Sequence, residues 1–317
     1  MSLIRARYRA VNTIMNLPKG GGYVGLLDLY PNAAAAYSLR LLRKDYSGGL
    51  VRARAWDGSA NQGEADVMAY RVSATEYVLD LNSTLENLDA TAISRGLTTS
   101  DTLADLVSTG VNDYDGLTSA WYDQSLSNDA TQGTATDQPK IVSGGSLVTE
   151  NGKPAIDFDG VDDVLDISGY TIVTTLNEVA AFVVYKQNVL SQISGVLNLG
   201  SAADDTRFFV PRLSSNSIRL GYGDSQSLIT AGAQDTVQHL VSAYTDLTNI
   251  NFNVDNASSG SSAIQNVTIV DTSLQLIGNV SNDINGKVQE VVVYDSNQYL
   301  NVPSIEANIN TFYSIYP

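Results

Sequence analysis

The sequence predicts a mostly β protein built as a β-sandwich, with a few short helices and an extended N-terminal arm. Its 317 residues include 17 Tyr but 6 Phe, and charged residues make up only 16%. This composition, rich in Gly, Ser, Thr and Asn, is typical of sheets joined by many turns. After about residue 145, short alternating runs follow one another at close intervals, and that spacing favours a sandwich or barrel.

The composition also excludes several kinds of site. The chain has no Cys and a single His, His239, so it has no disulfide framework, cysteine-zinc site or thiol nucleophile. No mechanism here can use two imidazoles, and we interpret His239, at the start of an apolar strand, as a structural histidine. No run approaches the roughly 18 consecutive apolar residues of a membrane span, so we expect no membrane insertion.

Charge is distributed unevenly along the chain. Residues 1–54 contain nine of the 18 basic residues and two acidic ones, a net charge of +7. The remaining 263 residues contain nine basic and 32 acidic residues, a net charge of −23. A body this acidic repels nucleic acid and anionic membranes, so we expect neither as a partner.

The basic segment predicts a docking arm over residues 1–30, ordered by a partner, with the flexible glycines 20–22 inside it. Charge and apolar contacts would both contribute to docking. The residues we expect to dock are Leu3, Ile4, Arg5, Arg7, Arg9, Ile14, Met15, Leu17 and Lys19.

Residues 31–145 predict a helix-containing part that packs on the sandwich. Asn32 followed by the run 33–42 has an N-cap, strong helix formers and basic residues at the far end, which predicts a short helix. The run 50–56 alternates as a strand before an Asp-Gly turn. A second helix is expected over 100–107, capped by Ser100 or Thr99.

Residues 146–317 predict the sandwich itself, closed by a C-terminal helix over 302–312 with proline in its first turn. Asn-Gly, Asp-Gly, Gly-Ser and Asp-Asn clusters separate the expected strands. These strands are 147–149, 155–158, 164–167, 180–186, 196–199, 208–210, 217–220, 240–244, 251–254, 274–277 and 288–294.

Several of these segments carry a resemblance to known folds. The run 158–163, preceded by 150–155, resembles the opening strand of laminin-G-like and concanavalin A-like jelly rolls. The runs 277–279 and 286–295, followed by the closing helix, resemble their last two strands. The resemblance implies that the sandwich is a concanavalin A-like jelly roll.

The upstream segments 36–43 and 120–132 resemble the N-terminal half of the arabinofuranosidase B catalytic-domain family. The same combination is similar to predicted structural and tail proteins of bacteriophages. That second resemblance implies a place in a virion, with other capsid or tail proteins as partners of the arm and a homo-oligomeric assembly.

A glycosidase needs two suitably spaced carboxyls. In the arabinofuranosidase family, the glutamate nucleophile lies between the middle strands, but Gly195–Gly223 contains no glutamate here. We therefore expect a non-enzymatic virion protein that displays a lectin-like jelly roll to a host glycan. A glycoside hydrolase of arabinofuranosidase type and a free glycan-binding adhesin remain the alternatives.

Two groups of residues are candidates for ligand contact. Trp121, Tyr122, Asp123 and Gln124 combine aromatic and hydrogen-bonding side chains, as sugar sites do, and Tyr222 follows as a loop aromatic. In the competing interpretation, the Trp-Tyr pair belongs to the core and exposes only one hydroxyl.

The densest acidic run offers a weak metal site at Asp157, Asp159 and Asp163, which alternation would place on one face. The competing interpretation is a solvated turn whose carboxylates cap backbone amides. We expect no obligatory cofactor, and Ca²⁺ is the candidate ligand of these aspartates.

Overall fold

The computed structural model describes residues 22–108, 110, 113–167, 177–190, 194–200, 207–214, 217–223, 227–264, 276–278 and 284–317. The fold is mostly β, as the sequence predicts. The strands before residue 155 are β1 (Ala35–Ser38), β2 (Val51–Trp56), β3 (Asn61–Val67), β4 (Tyr70–Arg71), β5 (Tyr77–Val78), β6 (Leu85–Glu86), β7 (Asp115–Trp121), β8 (Ala130–Thr131), β9 (Lys140–Ser143), β10 (Ser146–Leu147), β11 (Thr149–Glu150) and β12 (Lys153–Pro154).

The later strands include those expected from the alternating runs. They are β13 (Ile156–Asp159), β14 (Leu165–Asp166), β15 (Ala180–Gln187), β16 (Ser194–Leu199), β17 (Arg207–Ser214), β18 (Ser217–Gly223), β19 (Ser227–Ala233), β20 (Gln238–Thr245), β21 (Asn249–Val254), β22 (Ala257–Ala263), β23 (Leu276–Ile277) and β24 (Asn285–Tyr294). The helices are α1 (Leu26–Leu29), α2 (Ala90–Ser94), α3 (Leu103–Val107) and α4 (Val302–Tyr313), with a short 3-10 helix at Ala135–Asp137. None of these described helices is long and apolar enough to cross a membrane.

The sandwich consists of two antiparallel layers, which β8 and β14 join into one continuous sheet. In the first layer, β24 pairs on one side with β15 and on the other with both β1 and β13, which lie end to end. This layer continues through β9, β7, β2 and β3 on one side and through β20, β21 and β22 on the other. The second layer contains β23, β16, β17, β18 and β19. Buried apolar side chains from both layers form one core cluster.

Helix α4 covers the outer face of the first layer. Ile305 and Ile309 are fully buried against Phe182, Val184 and Leu240 of the sheet. The helix spans residues 302–313, one residue beyond the prediction, and proline stands in its first turn. The amphipathic spacing therefore predicted both the helix and the face that it buries.

The helix predicted over 33–42 is wrong. Asn32 adopts φ 67°, and the chain then forms β1, in which every residue is buried. Tyr37 points into the core between the layers, whereas Ala36 packs in the cluster under α4. Burial on both faces requires an extended central strand, and this tertiary environment outweighs the helix propensity of the alanine run.

Two other boundaries also differ from the predictions. Helix α3 begins at Leu103, and its cap is Thr102 rather than Ser100 or Thr99. Of the predicted arm, residues 1–21 lie outside the described residues, and with them every residue expected to dock. The described remainder is not extended throughout, because Leu26 and Leu27 form α1 and are buried. The division at residues 31 and 146 stays a prediction.

Candidate functional site

Four of the five predicted sugar-contact residues are buried. Trp121 and Tyr222 have no exposed surface, because Trp121 packs beside Tyr37 in the core and Tyr222 lies within β18 rather than in a loop. Asp123 and Gln124 are buried as well. The prediction is wrong for these four residues, since a buried side chain cannot contact a glycan. Trp121 is a core residue, as the competing interpretation of the Trp-Tyr pair stated.

Asp123 and Gln124 instead stabilise the backbone around β1. One carboxylate oxygen of Asp123 accepts the Ala36 N–H at 2.8 Å. The side-chain amide of Gln124 donates to the carbonyls of Ser38 and Arg40 at 3.0 and 2.9 Å. These bonds satisfy polar backbone groups in the interior, so both side chains have structural roles.

Tyr122 is the predicted contact residue that the structure brings to a polar surface. Its ring is half-buried, and its hydroxyl donates to Asp66 Oδ1 at 2.5 Å. Asp66 also accepts from Arg52 Nη1 at 2.8 Å and from the side-chain amide of Asn87 at 2.6 Å. Three donors on two oxygens fix the orientation of the Asp66 carboxylate.

Alternation along β2 and β3 places these groups on one face. Residues of β2 are alternately buried and half-buried, which turns Arg52 and Arg54 outward. The register places Arg52 opposite Asp66 and Arg54 opposite Glu64. Together these residues form the Tyr122 cluster, which we define as Arg52, Arg54, Glu64, Asp66, Asn87 and Tyr122.

Glu64 joins the two arginines of the Tyr122 cluster. Its Oε2 accepts from Arg52 Nε at 3.0 Å, and its Oε1 accepts from Arg54 Nε. Arg52 also donates through Nη1 to the Asn87 carbonyl at 3.1 Å. Asn87 sits at φ 47°, a left-handed conformation that asparagine tolerates better than most residues. The cluster is therefore held together by charge-assisted bonds from three separate segments.

The surroundings of Arg52 and Tyr122 determine the protonation states of these two members of the Tyr122 cluster. Burial lowers the pKa of Arg52, but hydrogen bonds to Asp66 and Glu64 overcome it and leave the pKa above its ordinary value. Burial and the bond to Asp66 raise the pKa of the Tyr122 hydroxyl. Arg52 is thus a permanent cation, and Tyr122 stays a donor across physiological pH.

The cluster has both the accessibility and the functional groups that recognition of hydroxyls requires. The Arg52 side chain is 24% exposed, and its Nε and Nη1 are bound within the cluster, so the guanidinium reaches the surface in a fixed orientation. Asn87 is exposed, and Trp56, next along the same face of β2, is half-buried. Donors, acceptors and an aromatic ring therefore converge on one polar surface.

The sequence did not identify the arginines, carboxylates and amide of this cluster. One usable signal was present, because two alternating arginines precede the Asp57-Gly58 turn and two alternating acids follow it. Tyr122 and Asn87 are far from this hairpin in the chain, and no local pattern connects them to it.

The acidic run differs from the predicted metal site. Ligand atoms of Asp159, Asp162 and Asp163 lie within 4.8 Å of one another, whereas Asp157 is not in this group. Asp157 stands opposite Lys287 and Lys140 on the neighbouring strands. The turn after β13 folds back so that an Asp163 oxygen accepts the Asp159 N–H at 2.8 Å, and this brings Asp162 near in place of Asp157.

Asp163 is almost completely buried in this turn. Burial raises its pKa to about 7, the Asp159 N–H opposes the shift, and the charges of Asp159, Asp162 and Asp157 add to it. These oxygens are hard ligands of the kind that Ca²⁺ accepts, and three carboxylates supply only part of its usual coordination.

Comparison with known proteins identifies the fold. No family model and no curated protein matches the chain. A solved structure of a GH54 α-L-arabinofuranosidase, soaked with a cyclic sulfate inhibitor, is similar over 90% of this chain, with 14% identity and a TM-score of 0.57. The chain spans 64% of the length of that structure. A CBM40 domain of a Ruminococcus gnavus sialidase, bound to α2,3-sialyllactose, matches 49% of this chain and 95% of its own, with 13% identity and a TM-score of 0.40. The chain is thus a β-sandwich protein with the fold of the GH54 structure.

Proposed function

We propose that this chain is a non-enzymatic carbohydrate-binding protein and that the Tyr122 cluster contacts the glycan. The observation that carries the proposal is the fixed position of Tyr122, Arg52 and Asn87, which reach a polar surface and are held there by the buried Asp66 carboxylate. Sugar hydroxyls both donate and accept hydrogen bonds, so a site for them needs both kinds of group at fixed positions. Because the protein already orders these side chains, little conformational entropy is lost on binding.

The geometry around three of the glutamates, Glu64, Glu290 and Glu306, supports binding rather than hydrolysis. A glycosidase needs one carboxyl that protonates the leaving oxygen and a second that acts as nucleophile or base. Both oxygens of Glu64 accept from arginine Nε groups, so neither is free to protonate a substrate. Glu290 and Glu306 are completely buried and cannot reach a glycan.

A glycan array followed by calorimetry on the full-length protein tests this proposal. We expect the protein to bind at least one oligosaccharide, and Tyr122→Phe to weaken that binding several-fold because the hydroxyl no longer fixes Asp66. Tyr70→Phe is the matched control, since Tyr70 is also half-buried but lies in β4, outside the cluster. A folded protein that binds no glycan on the array would refute the proposal.

We further propose that the chain is displayed on a bacteriophage particle as a homo-oligomer. Its N-terminal arm attaches it to a capsid or tail protein. The net charge is +7 over residues 1–54 and −23 over the remaining residues, and this contrast supports this part of the proposal. In the full chain, reversing the charges of Arg5, Arg7 and Arg9 to Glu should abolish incorporation into particles, as measured by mass spectrometry of purified virions. Unchanged incorporation would contradict docking by charge.

The second candidate is an arabinofuranosidase, favoured by the similarity to the GH54 structure over 90% of the chain. Release of 4-nitrophenol from 4-nitrophenyl α-L-arabinofuranoside tests it directly. Turnover that a single carboxylate substitution abolishes would replace the binding proposal with an enzymatic one.

A further inference from the structure

We infer that Tyr299, in the segment before α4, is a second carbohydrate contact that presents its ring to the face of a sugar. The inference rests on the proposed function for the class of ligand, but it concerns different residues from the Tyr122 cluster. Tyr299 is 48% exposed, which is unusual for a large aromatic side chain in a chain that buries most of its other rings.

The ring of Tyr299 has a defined orientation. It stacks on Tyr244 at the end of β20, with ring centroids 6.3 Å apart and an angle of 28° between the planes. The backbone N–H of Tyr299 donates to Asn297 Oδ1 at 2.9 Å, which orders the segment that carries it. Tyr244 covers one face of the Tyr299 ring. The opposite face of the Tyr299 ring is therefore the one presented to a ligand.

Buried polar groups join the elements around Tyr244. The side-chain amide of Asn253, on the strand next to Tyr244, donates to Glu306 Oε1 at 3.0 Å. Ser242 donates to the same Glu306 oxygen. Asn253, Ser242 and Glu306 are all buried beneath α4. These bonds tie β20, β21 and α4 together beside Tyr244, so the strands that carry the aromatic pair are ordered before a ligand binds.

Polar groups lie beside the aromatic pair. Asn251 is the cross-strand partner of Tyr244, and its side-chain amide donates to Asp246 Oδ2 at 2.8 Å. The other Asp246 oxygen accepts the backbone N–H of Thr248 and of Asn249. An amide and a carboxylate next to a ring match a sugar, which has an apolar C–H face and an edge of hydroxyls.

The size and charge of the patch favour a sugar over other occupants. A half-exposed tyrosine offers on the order of 100 Å². A stable protein interface needs about 800 Å² from each partner, far more than Tyr299 and its 87% exposed neighbour Leu300 provide. The charged group beside the patch, Asp246, disfavours an anionic lipid surface. The exposed ring is close in area to one face of a monosaccharide.

The test is calorimetry on the full-length protein with the oligosaccharide that scores highest on the array. We expect Tyr299→Ala to weaken binding about ten-fold and Tyr299→Phe to retain most of it, because the ring face makes the contact. Leu300→Ala is the matched control, since Leu300 is the exposed neighbour without a ring, and its affinity should stay within two-fold of the wild type. Melting temperatures of the variants verify that each is folded.

The outcomes separate this inference from the proposed function. If Tyr299→Ala binds as tightly as the wild type while Tyr122→Phe is weakened, the inference is refuted and the proposed site stands. If Tyr299→Ala is weakened and Tyr122→Phe is not, the inference stands and the Tyr122 cluster is not the site. A wild-type protein that binds no glycan would refute both.

Discussion

Arg40 and Glu290 form a two-point ion pair in the interior, with Nε–Oε2 and Nη2–Oε1 distances of 2.7 and 2.9 Å. The hydroxyls of Ser38 and Tyr313 also donate to the Glu290 carboxylate, at 2.7 and 3.2 Å. Arg40 lies shortly after β1, Glu290 in the central strand β24 and Tyr313 at the end of α4. This one carboxylate therefore connects three elements that are far apart in the sequence.

Removing one partner of this pair should be costly. We expect Glu290→Ala to lower the free energy of unfolding by about 3–5 kcal/mol, because it leaves the Arg40 cation buried without its counter-ion. Denaturant unfolding followed by circular dichroism measures the loss. Asp45→Ala is the control: it breaks the Arg43–Asp45 pair, whose side chains are 37% and 69% exposed, and should cost less than about 1 kcal/mol. Equal losses in the two variants would contradict the structural role of Glu290.

His239 should make stability depend on pH. Its Nδ1 lies 2.7 Å from Asp255 and its Nε2 lies 3.0 Å from Asp235, and the ring of Tyr185 also faces it. Burial lowers the pKa of His239, but the bonds and charges of the two aspartates overcome this effect and raise it above 6.5. Because the folded pKa exceeds the unfolded one, the stabilisation is complete below about pH 6.5 and is lost as the pH rises through the folded value.

We therefore expect the gap in unfolding free energy between the wild type and His239→Gln to be largest near pH 5 and to shrink toward pH 9. Denaturant titrations at several pH values measure this gap. A gap of constant size would show that the imidazole makes only neutral hydrogen bonds.

Asp163 should also make the protein less stable as the pH rises, through an unfavourable charge rather than a favourable one. Its pKa of about 7 lies above the ordinary carboxyl value, so folding favours the protonated form. The destabilising effect is absent below the unfolded pKa, grows as the pH rises from there to about 7, and is complete above that value. Asp163→Asn keeps an acceptor for the Asp159 N–H, and we expect it to stabilise the protein by on the order of 1–2 kcal/mol more at pH 8 than at pH 5. A gain that is the same at both pH values would contradict this assignment.

Calcium provides a related test of the same turn. If Ca²⁺ binds Asp159, Asp162 and Asp163, adding it at pH 8 should raise the melting temperature of the wild type, and EDTA should reverse the change. Asp162→Asn should lose the response, whereas Asp157→Asn should keep it. A wild type that does not respond to Ca²⁺ would leave these aspartates as a turn that caps backbone amides.

Thr102 should stabilise α3 through its capping box, in which Thr102 and Asp105 exchange side-chain to backbone bonds. We expect Thr102→Ala to lower the free energy of unfolding by about 1 kcal/mol. Ser100→Ala is the control, because Ser100 is exposed and precedes the helix without capping it. Thermal unfolding compares the two, and an equal effect would place the cap elsewhere.

The predictions that succeeded rest on patterns contained in a single element. The spacing of Ile305 and Ile309 and the proline at 303 indicated α4, alternation indicated β2, and apolar runs indicated β15 and β24. Such patterns record which face an element buries, so they do not depend on what it packs against.

The predictions that failed depend on the neighbours of an element. The alanine run before Tyr37 favours a helix locally, but it lies between the core and α4 and must be extended. Trp121 and Tyr222 have the residue type of a sugar platform, and only packing shows that both are buried. The structure groups Asp162, rather than the predicted Asp157, with Asp159 and Asp163. The path of a turn, and not strand alternation, decides which of these carboxylates meet.

By itself, the sequence determined the fold class, most strands of the sandwich, the C-terminal helix and the chemistry that a chain without cysteine and with one histidine excludes. Tertiary structure decided which polar side chains meet, since Tyr122 reaches Asp66 across 56 residues and Asn87 reaches it across 21. Hydrophobic periodicity is a local property of the chain and is visible in its residues. A binding surface is formed by strand register and loop path, which only the folded sheet specifies.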